Sequence, residues 1–328
     1  MALFDKRKNY KPFEYGLITT PLIDAMWAGH WTHNKFTFSS DVQDYKTVIS
    51  EKERGVIARA VLLISNIEVS VKSYWSSIGK IIPKPEIGDM GAVFGGIEVI
   101  HSRAYSEILT KLGLDDKFQG LLSEGVVQNR VNYLNKYNEK VYKDDKKQIA
   151  YSLALFTIFT EYVSLFSQFY IILGFNRFNN VLKDTSNVVN YTNKEETLHA
   201  EGGFALLKVI KKEYPEVFDE EFKQRIKDEA KEAINAESGL IRWMLDGYEN
   251  DFVSQDILEN YLKNRMNVAL KRIGITKTFD VNKKSIEKTY WMDEEVYGQN
   301  MADFFWKDPT EYSKSNKSYT SKDLYKNG

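Results

Sequence analysis

Two Glu-x-x-His pairs carry the chemistry of this chain, Glu98-Val-Ile-His101 and Glu196-Thr-Leu-His199. Each follows a lone glutamate set in an apolar run, Glu68 in AVLLISNIEVSVKSYW and Glu161 in ALFTIFTEYVSLFSQFY. Glu68 precedes Glu98 by 30 residues and Glu161 precedes Glu196 by 35, so the order Glu, then Glu-x-x-His, occurs twice. A Glu and a His three residues apart share one face of a helix. Four helices that each turn a carboxylate inward, two of them adding an imidazole, make a box for two metal ions. Oxygen and imidazole donors without a thiolate suit iron or manganese. One such pair on a solvated helix would mean little, but the chain has only four histidines and two of them complete the motifs. Unpaired carboxylates in the runs around Glu68 and Glu161 would be costly to bury, and a shared metal is their simplest partner.

Such a box needs long helices to hold it. Ser50-Glu-Lys-Glu53 reads as a helix start with Glu53 three residues after a serine cap. That helix is predicted to run to about Ile81, where Ile82-Pro83-Lys84-Pro85 breaks it. Further helices are predicted over Pro85–Leu112, Asp115–Tyr142, Asp145–Leu173, Ser186–Glu213, Asp219–Tyr248 and Ser254–Ile273. No alternating Val/Ile/Thr run of any length marks a strand. Residues 1–40 read as an irregular arm with short helical pieces. The expectation is one all-α domain over 1–306, followed by a tail over 307–328 that is too rich in Lys, Ser and Asn to bury itself. The tail keeps Tyr312, Tyr319 and Tyr325, the kind of side chain a docking segment uses.

Composition narrows the function. The formal net charge of −1 gives no electrostatic case for nucleic acid or a membrane surface. Cysteine is absent, which excludes disulfides, a catalytic thiol and Cys-held iron–sulfur clusters, and fits a cytoplasmic protein. The start, MALFDKRKNYKPFEY, brings charge early and no apolar core, so no signal peptide is expected. The most apolar stretch, near 150–175, is interrupted by Glu161 and Gln168 and reads as a buried helix. No phosphate-cradling Gly-rich loop is present. His30 and His33 flank Trp31 without a third ligand nearby and read as structural or surface residues.

Dimetal carboxylate boxes serve iron storage, hydrocarbon oxidation and radical generation. Tyr105 lies four residues after His101 and seven after Glu98, on the same helical face, where an activated metal pair can oxidise a phenol. An ordinary core tyrosine is the plainer reading of that position. With this residue the chain resembles the small, radical-generating subunit of class I ribonucleotide reductase, a ferritin-like helical bundle. The resemblance rests on IHSRAYSEIL, FTEYVSLFSQF, NKEETLHAEG, HWTHNKFTFSSDVQDY and DPTEYS.

The resemblance implies metal ligands at Glu68, Glu98, His101, Glu161, Glu196 and His199. Of the adjacent Glu195 and Glu196, only Glu196 stands three residues before His199. It implies that Tyr105 stands at the position of the radical tyrosine, with storage on Tyr105 or on the metal pair both open and the metal pair slightly ahead, and an electron path through Trp31, the outer carboxylate Glu195 and the tail residue Tyr312. It also implies a homodimer and a large catalytic subunit reached through the tail, with the need for a flavoprotein activator left open. Glu68 and Glu195 replace the aspartates usual in the family, and the Lys-Asn-Gly ending lacks its acidic-aromatic close, which shifts the expected docking contact inward to Asp323-Leu324-Tyr325. Glu68 and the connector IPKPEIG resemble branches that use manganese, so dimanganese, mixed Mn/Fe and diiron centres all remain, with manganese leading. The rival readings are a stand-alone dimetal oxidase or desaturase and an iron-storage protein.

Overall fold

The computed structural model describes residues 2–7, 9–138 and 145–297; the side chains of residues 68–70, 137–138 and 296–297 fall outside that description. Helix boundaries follow local chemistry. Ser50 accepts from the Glu53 amide while the Glu53 carboxylate accepts from the Ser50 amide at 3.0 Å, and this capping box opens α3 (Glu51–Ile81). Pro83 forbids continuation. Pro85 then starts α4 (Pro85–Leu112), which stops where Gly113 turns left-handed at φ +68°. Before them come α1 (Gly16–Ala28) and α2 (Ser39–Thr47).

The helix predicted over Asp115–Tyr142 is broken. It comprises α5 (Asp115–Gly120), a 3-10 turn (Leu121–Ser123), α6 (Gly125–Leu134) and a second 3-10 turn (Asn135–Asn138), with Tyr142 outside the described residues. Gly120 and Gly125 border the first break, and each glycine costs a helix about 0.5–1 kcal/mol relative to alanine. The rod predicted over Asp145–Leu173 begins as expected, with Asp145 capping the Gln148 amide at 2.9 Å, but it is not uniform. It runs α7 (Lys146–Leu155), a π-helical segment (Phe156–Ser164) and α8 (Phe166–Asn179). Every residue from 149 to 175 is buried. This rod alone among the described helices is long and apolar enough to cross a membrane, and its apolar surface is covered inside the protein.

The chain continues through α9 (Lys183–Glu213), a 3-10 turn (Pro215–Phe218), α10 (Glu220–Leu245), α11 (Gln255–Arg272), α12 (Lys283–Glu287) and α13 (Tyr290–Tyr297). Among the described residues there is no strand. The core is a ring of four: α3 packs on α4 and α8, and α9 packs on α4, on α8 and on the π segment. Helices α6, α10 and α11 cover the outer side of the rod, and α1 and α2 lie across α4 and α9. Close packing of α3 on α4 depends on glycine. A Cβ at Gly91 would sit 2.4 Å from the Trp75 carbonyl oxygen, and one at Gly95 would sit 2.2 Å from Ser76 Oγ. The arm is tied down by Asp41 of α2, whose buried carboxylate accepts from the Asp184 and Thr185 amides at the start of α9, at 3.0 and 2.6 Å.

Candidate metal centre

Helices α4 and α9 present their motifs to each other across the ring. Glu98 and His101 face inward from α4, Glu195, Glu196 and His199 from α9, and Glu161 from the π segment. Glu98, His101, Glu161 and His199 are fully buried, and Glu196 is nearly so. Glu68 belongs to α3, but its side chain lies outside the described residues. Glycines at 202 and 203, just past His199, bring α9 close to its neighbours: a Cβ at Gly203 would lie 2.1 Å from Thr157 Oγ1 of the π segment.

The carboxylates of both motifs span both imidazoles. Glu98 places Oε2 at 3.1 Å from His101 Nδ1 and Oε1 at 2.9 Å from His199 Nδ1. Glu196 does the same, with Oε1 at 3.3 Å from His101 Nδ1 and Oε2 at 3.1 Å from His199 Nδ1. Glu161 adds Oε2 at 3.6 Å from His199 Nδ1. Glu98, Glu161, Glu196 and His199 thus bring one ligand atom each within 4.8 Å of one another.

Two ring nitrogens cannot satisfy this many carboxylate oxygens. Three carboxylates carry more negative charge than two imidazoles can offset even when protonated. The proton-binding energetics register the strain. Burial, then the charge of Glu196, pushes the Glu161 carboxyl well above the usual carboxylate range. Burial also opposes ionisation of Glu196, but hydrogen bonds with Glu161, His101 and His199 outweigh it and hold its pKa low. Burial alone would lower both imidazoles. Glu195, Glu196 and Glu98 instead raise His101 well above 6.5, and Glu98, Glu161 and Glu196 do so for His199. Glu161 Oε2 and His199 Nε2 have no hydrogen-bond partner among the described residues. An oxygen-rich donor set with imidazole, excess negative charge and unpartnered buried donor atoms fits divalent iron or manganese.

A second row of contacts orients the first. Glu195 Oε2 lies 2.7 Å from His101 Nε2, and both Glu195 oxygens accept from Trp31 Nε1 at 3.1 Å. Glu195 keeps a proton on Nε2, so loss of the Nδ1 proton to a metal would turn the Nδ1 lone pair to the cluster, the tautomer a metal ligand needs. Trp31 is buried and stacks on Tyr191, ring centroids 5.2 Å apart at 26°. Tyr105 is fully buried and donates to Thr192 Oγ1 at 3.1 Å.

Of the residues singled out from the sequence, Glu98, His101, Glu161, Glu195, Glu196, His199 and Trp31 come together, and Tyr105 sits one turn beyond His101. Tyr312 and the tail lie outside the described residues. His30 is exposed and His33 partly so, away from the cluster's hydrogen bonds. Three neighbours were not anticipated. Trp75 donates to Glu161 Oε1 at 2.7 Å, Thr192 receives Tyr105, and Tyr191 stacks on Trp31. A periodic signal existed for each: Trp75 is seven residues after Glu68, Thr192 four before Glu196, and Tyr191 four before Glu195.

Comparison with known proteins agrees with this architecture. The probable ribonucleoside-diphosphate reductase small subunit 048L of Invertebrate iridescent virus 3 is 24% identical, over 96% of this chain and 86% of its own. A putative class I ribonucleotide reductase structure from Bacillus halodurans superposes with a TM-score of 0.76 at 21% identity, covering 84% of this chain and 99% of that one. The dimanganese(II) NrdF structure of Streptococcus sanguinis gives 0.72 at 18% identity, covering 87% and 99%. Both superpositions establish the ferritin-like all-α fold. The family model for the ribonucleotide reductase small chain matches residues 7–286, so the chain belongs to the family of ribonucleotide reductase small chains.

Proposed function

We propose that this chain is the beta subunit of a class I ribonucleoside-diphosphate reductase whose centre holds two metal ions on Glu68, Glu98, His101, Glu161, Glu196 and His199. The observation that carries this reading is the buried convergence of Glu98, Glu161, Glu196 and His199 on a space 4.8 Å across. When bound, the metal pair supplies one-electron oxidising chemistry with oxygen or a reduced oxygen species. Manganese, as a dimanganese or Mn/Fe pair, is the proposed occupant ahead of diiron. The length of Glu68 and the likeness to a dimanganese protein support it.

The chain's own residues do the rest. Glu195 fixes the His101 tautomer and joins it to the Trp31 indole, so an electron leaving Trp31 and a proton moving toward Glu195 share one hydrogen bond. Full burial keeps water from quenching an oxidising equivalent. The tail over 307–328 docks on the large subunit, with Tyr312 as the outward relay. Substrate reduction needs thiols, and this chain has none, so they come from the partner. We further propose a cytoplasmic homodimer. The family match does not favour the oxidase or desaturase alternative.

The test is reconstitution. Protein loaded with Mn(II), Fe(II) or both, exposed to oxygen and in parallel to superoxide or hydrogen peroxide, and mixed with a class I large subunit should reduce ribonucleoside diphosphates in at least one of these combinations, and the chelated protein should not. Metal uptake without any nucleotide reduction across several large subunits would refute the assignment.

A further inference from the structure

The segment Phe156–Ser164 that carries Glu161 is wound as a π helix, a geometry rarely kept beyond single turns and often found at functional sites. At its C-terminal end the bonding is irregular: the Leu165 amide turns back to the Val163 carbonyl, and α bonding resumes with Phe169 N–H to the Leu165 carbonyl at 3.0 Å. Two buried guanidinium groups from other helices enter at this junction. Arg130 of α6 donates to the Ser164 carbonyl and, at 3.3 Å, to Gln168 Oε1 and to the Leu63 carbonyl of α3. Its Nε lies 3.1 Å from Glu237 Oε1, and Glu237 in turn accepts from Tyr133. Arg265 of α11 donates Nε–H to the Tyr162 carbonyl at 2.8 Å and lies over the Phe166 ring at 3.3 Å. The two gripped carbonyls are one and three residues beyond Glu161.

Register matters because one residue of an α helix turns a side chain by about 100°. A slip of the segment into α register would swing Glu161 away from Trp75 and His199. We propose that Arg130 and Arg265 are positioning residues that lock the π register of Phe156–Ser164 and so hold Glu161 in the cluster. The lock is a property of the metal-free chain; what it serves rests on the metal reading above. The guanidinium fork suits this task, since a rigid planar group can bind a carbonyl while stacking or pairing with another element.

The test compares Arg265→Met and the double variant Arg130→Met/Glu237→Gln, which leaves no orphaned carboxylate, with Arg7→Met. Arg7 is equally buried and pairs with Glu86, far along α4 from the cluster. Amide hydrogen exchange on metal-free protein should speed up at 156–165 by about tenfold or more in the first two and not in Arg7→Met. Mn(II) titration followed by electron paramagnetic resonance should show binding of at least one ion weakened about tenfold or more in the first two, with an altered spectrum, and wild-type behaviour in Arg7→Met. Arg265→Lys, which keeps a donor for the Tyr162 carbonyl, should recover part of both losses. Unchanged exchange in both arginine variants, or equal acceleration in Arg7→Met, overturns the lock. Faster exchange with unaltered Mn(II) binding overturns its service to Glu161. A wild-type protein that takes up neither Mn(II) nor Fe(II) overturns the proposed function instead, and the exchange result still decides the lock.

Discussion

Tyr105 and Glu195 both neighbour His101 and separate two questions: where an oxidising equivalent rests, and how it leaves. The Tyr105 phenol is buried and donates to Thr192, whose own hydroxyl donates to the Val188 carbonyl. Removing the phenol oxygen costs about 1 kcal/mol of stability by the usual worth of such a bond. Tyr105→Phe should therefore fold and load metal normally. With the oxidant stored on the metal pair, the variant should keep nucleotide reduction; full loss of activity at unchanged metal content would place the oxidant on Tyr105. Glu195→Gln removes the charge that fixes His101 and faces Trp31. Metal affinity or activity should fall about 10–100-fold, the range seen when outer partners of ligating histidines are replaced, and titration with turnover measurement checks it. The inward residues of the two motifs were legible because three-residue spacing alone puts Glu and His on one helix face. For Trp75 and Thr192 the spacing marks the face, but their partners Glu161 and Tyr105 were not legible, because those contacts cross between helices and depend on how each helix is rotated in the ring.

The hairpin of α3 and α4 sets that rotation for half of the cluster. Gly91 lies where the two backbones nearly touch, and an added methyl would meet Ile78 Cγ2 at 2.3 Å and the Trp75 carbonyl at 2.4 Å. A carbonyl of a helix backbone cannot step aside, so Gly91→Ala should cost about 1–3 kcal/mol, the usual penalty of overpacking, and also disturb the Trp75 bond to Glu161. A methyl added at Gly96, on the same helix, would meet nothing within 4 Å. Gly96→Ala should be neutral or stabilise by about 0.5–1 kcal/mol through helix propensity. Urea unfolding of the pair checks both signs, and a Gly91→Ala protein as stable as Gly96→Ala would contradict this packing. The ends of α3 and α4 could be read from Ser50, Pro83, Pro85 and Gly113, since caps and breakers act locally. The break between Gly120 and Gly125 had local cause too, but helical residues on both sides masked it. The π segment had no local signature: its apolar run reads as plain α helix, and the Arg130 and Arg265 contacts that accompany it come from residues far away in sequence.

Under the proposed function, an oxidising equivalent has to leave a buried centre for a large subunit that carries the thiols. Trp31 is itself buried, and among the described residues its ring neighbours include Tyr191, Phe36 and His101, so the proposed relay is still inside the molecule at that point. Something must carry the electron hole onward, and the tail offers Tyr312 in DPTEYS, outside the described residues. A phenol can be oxidised reversibly by losing an electron and a proton together; a phenyl ring of nearly the same size cannot. Tyr312→Phe should consequently abolish nucleotide reduction while metal content, thermal stability and affinity for the large subunit stay at wild-type levels. The affinity measurement is what separates relay from docking, because a tail that merely anchors the subunits would lose binding along with activity. The outcome is also independent of whether Tyr105 or the metals store the oxidant, since both stores must empty through the same exit. A Tyr312→Phe protein that still turns over with its large subunit would show that the exit lies elsewhere.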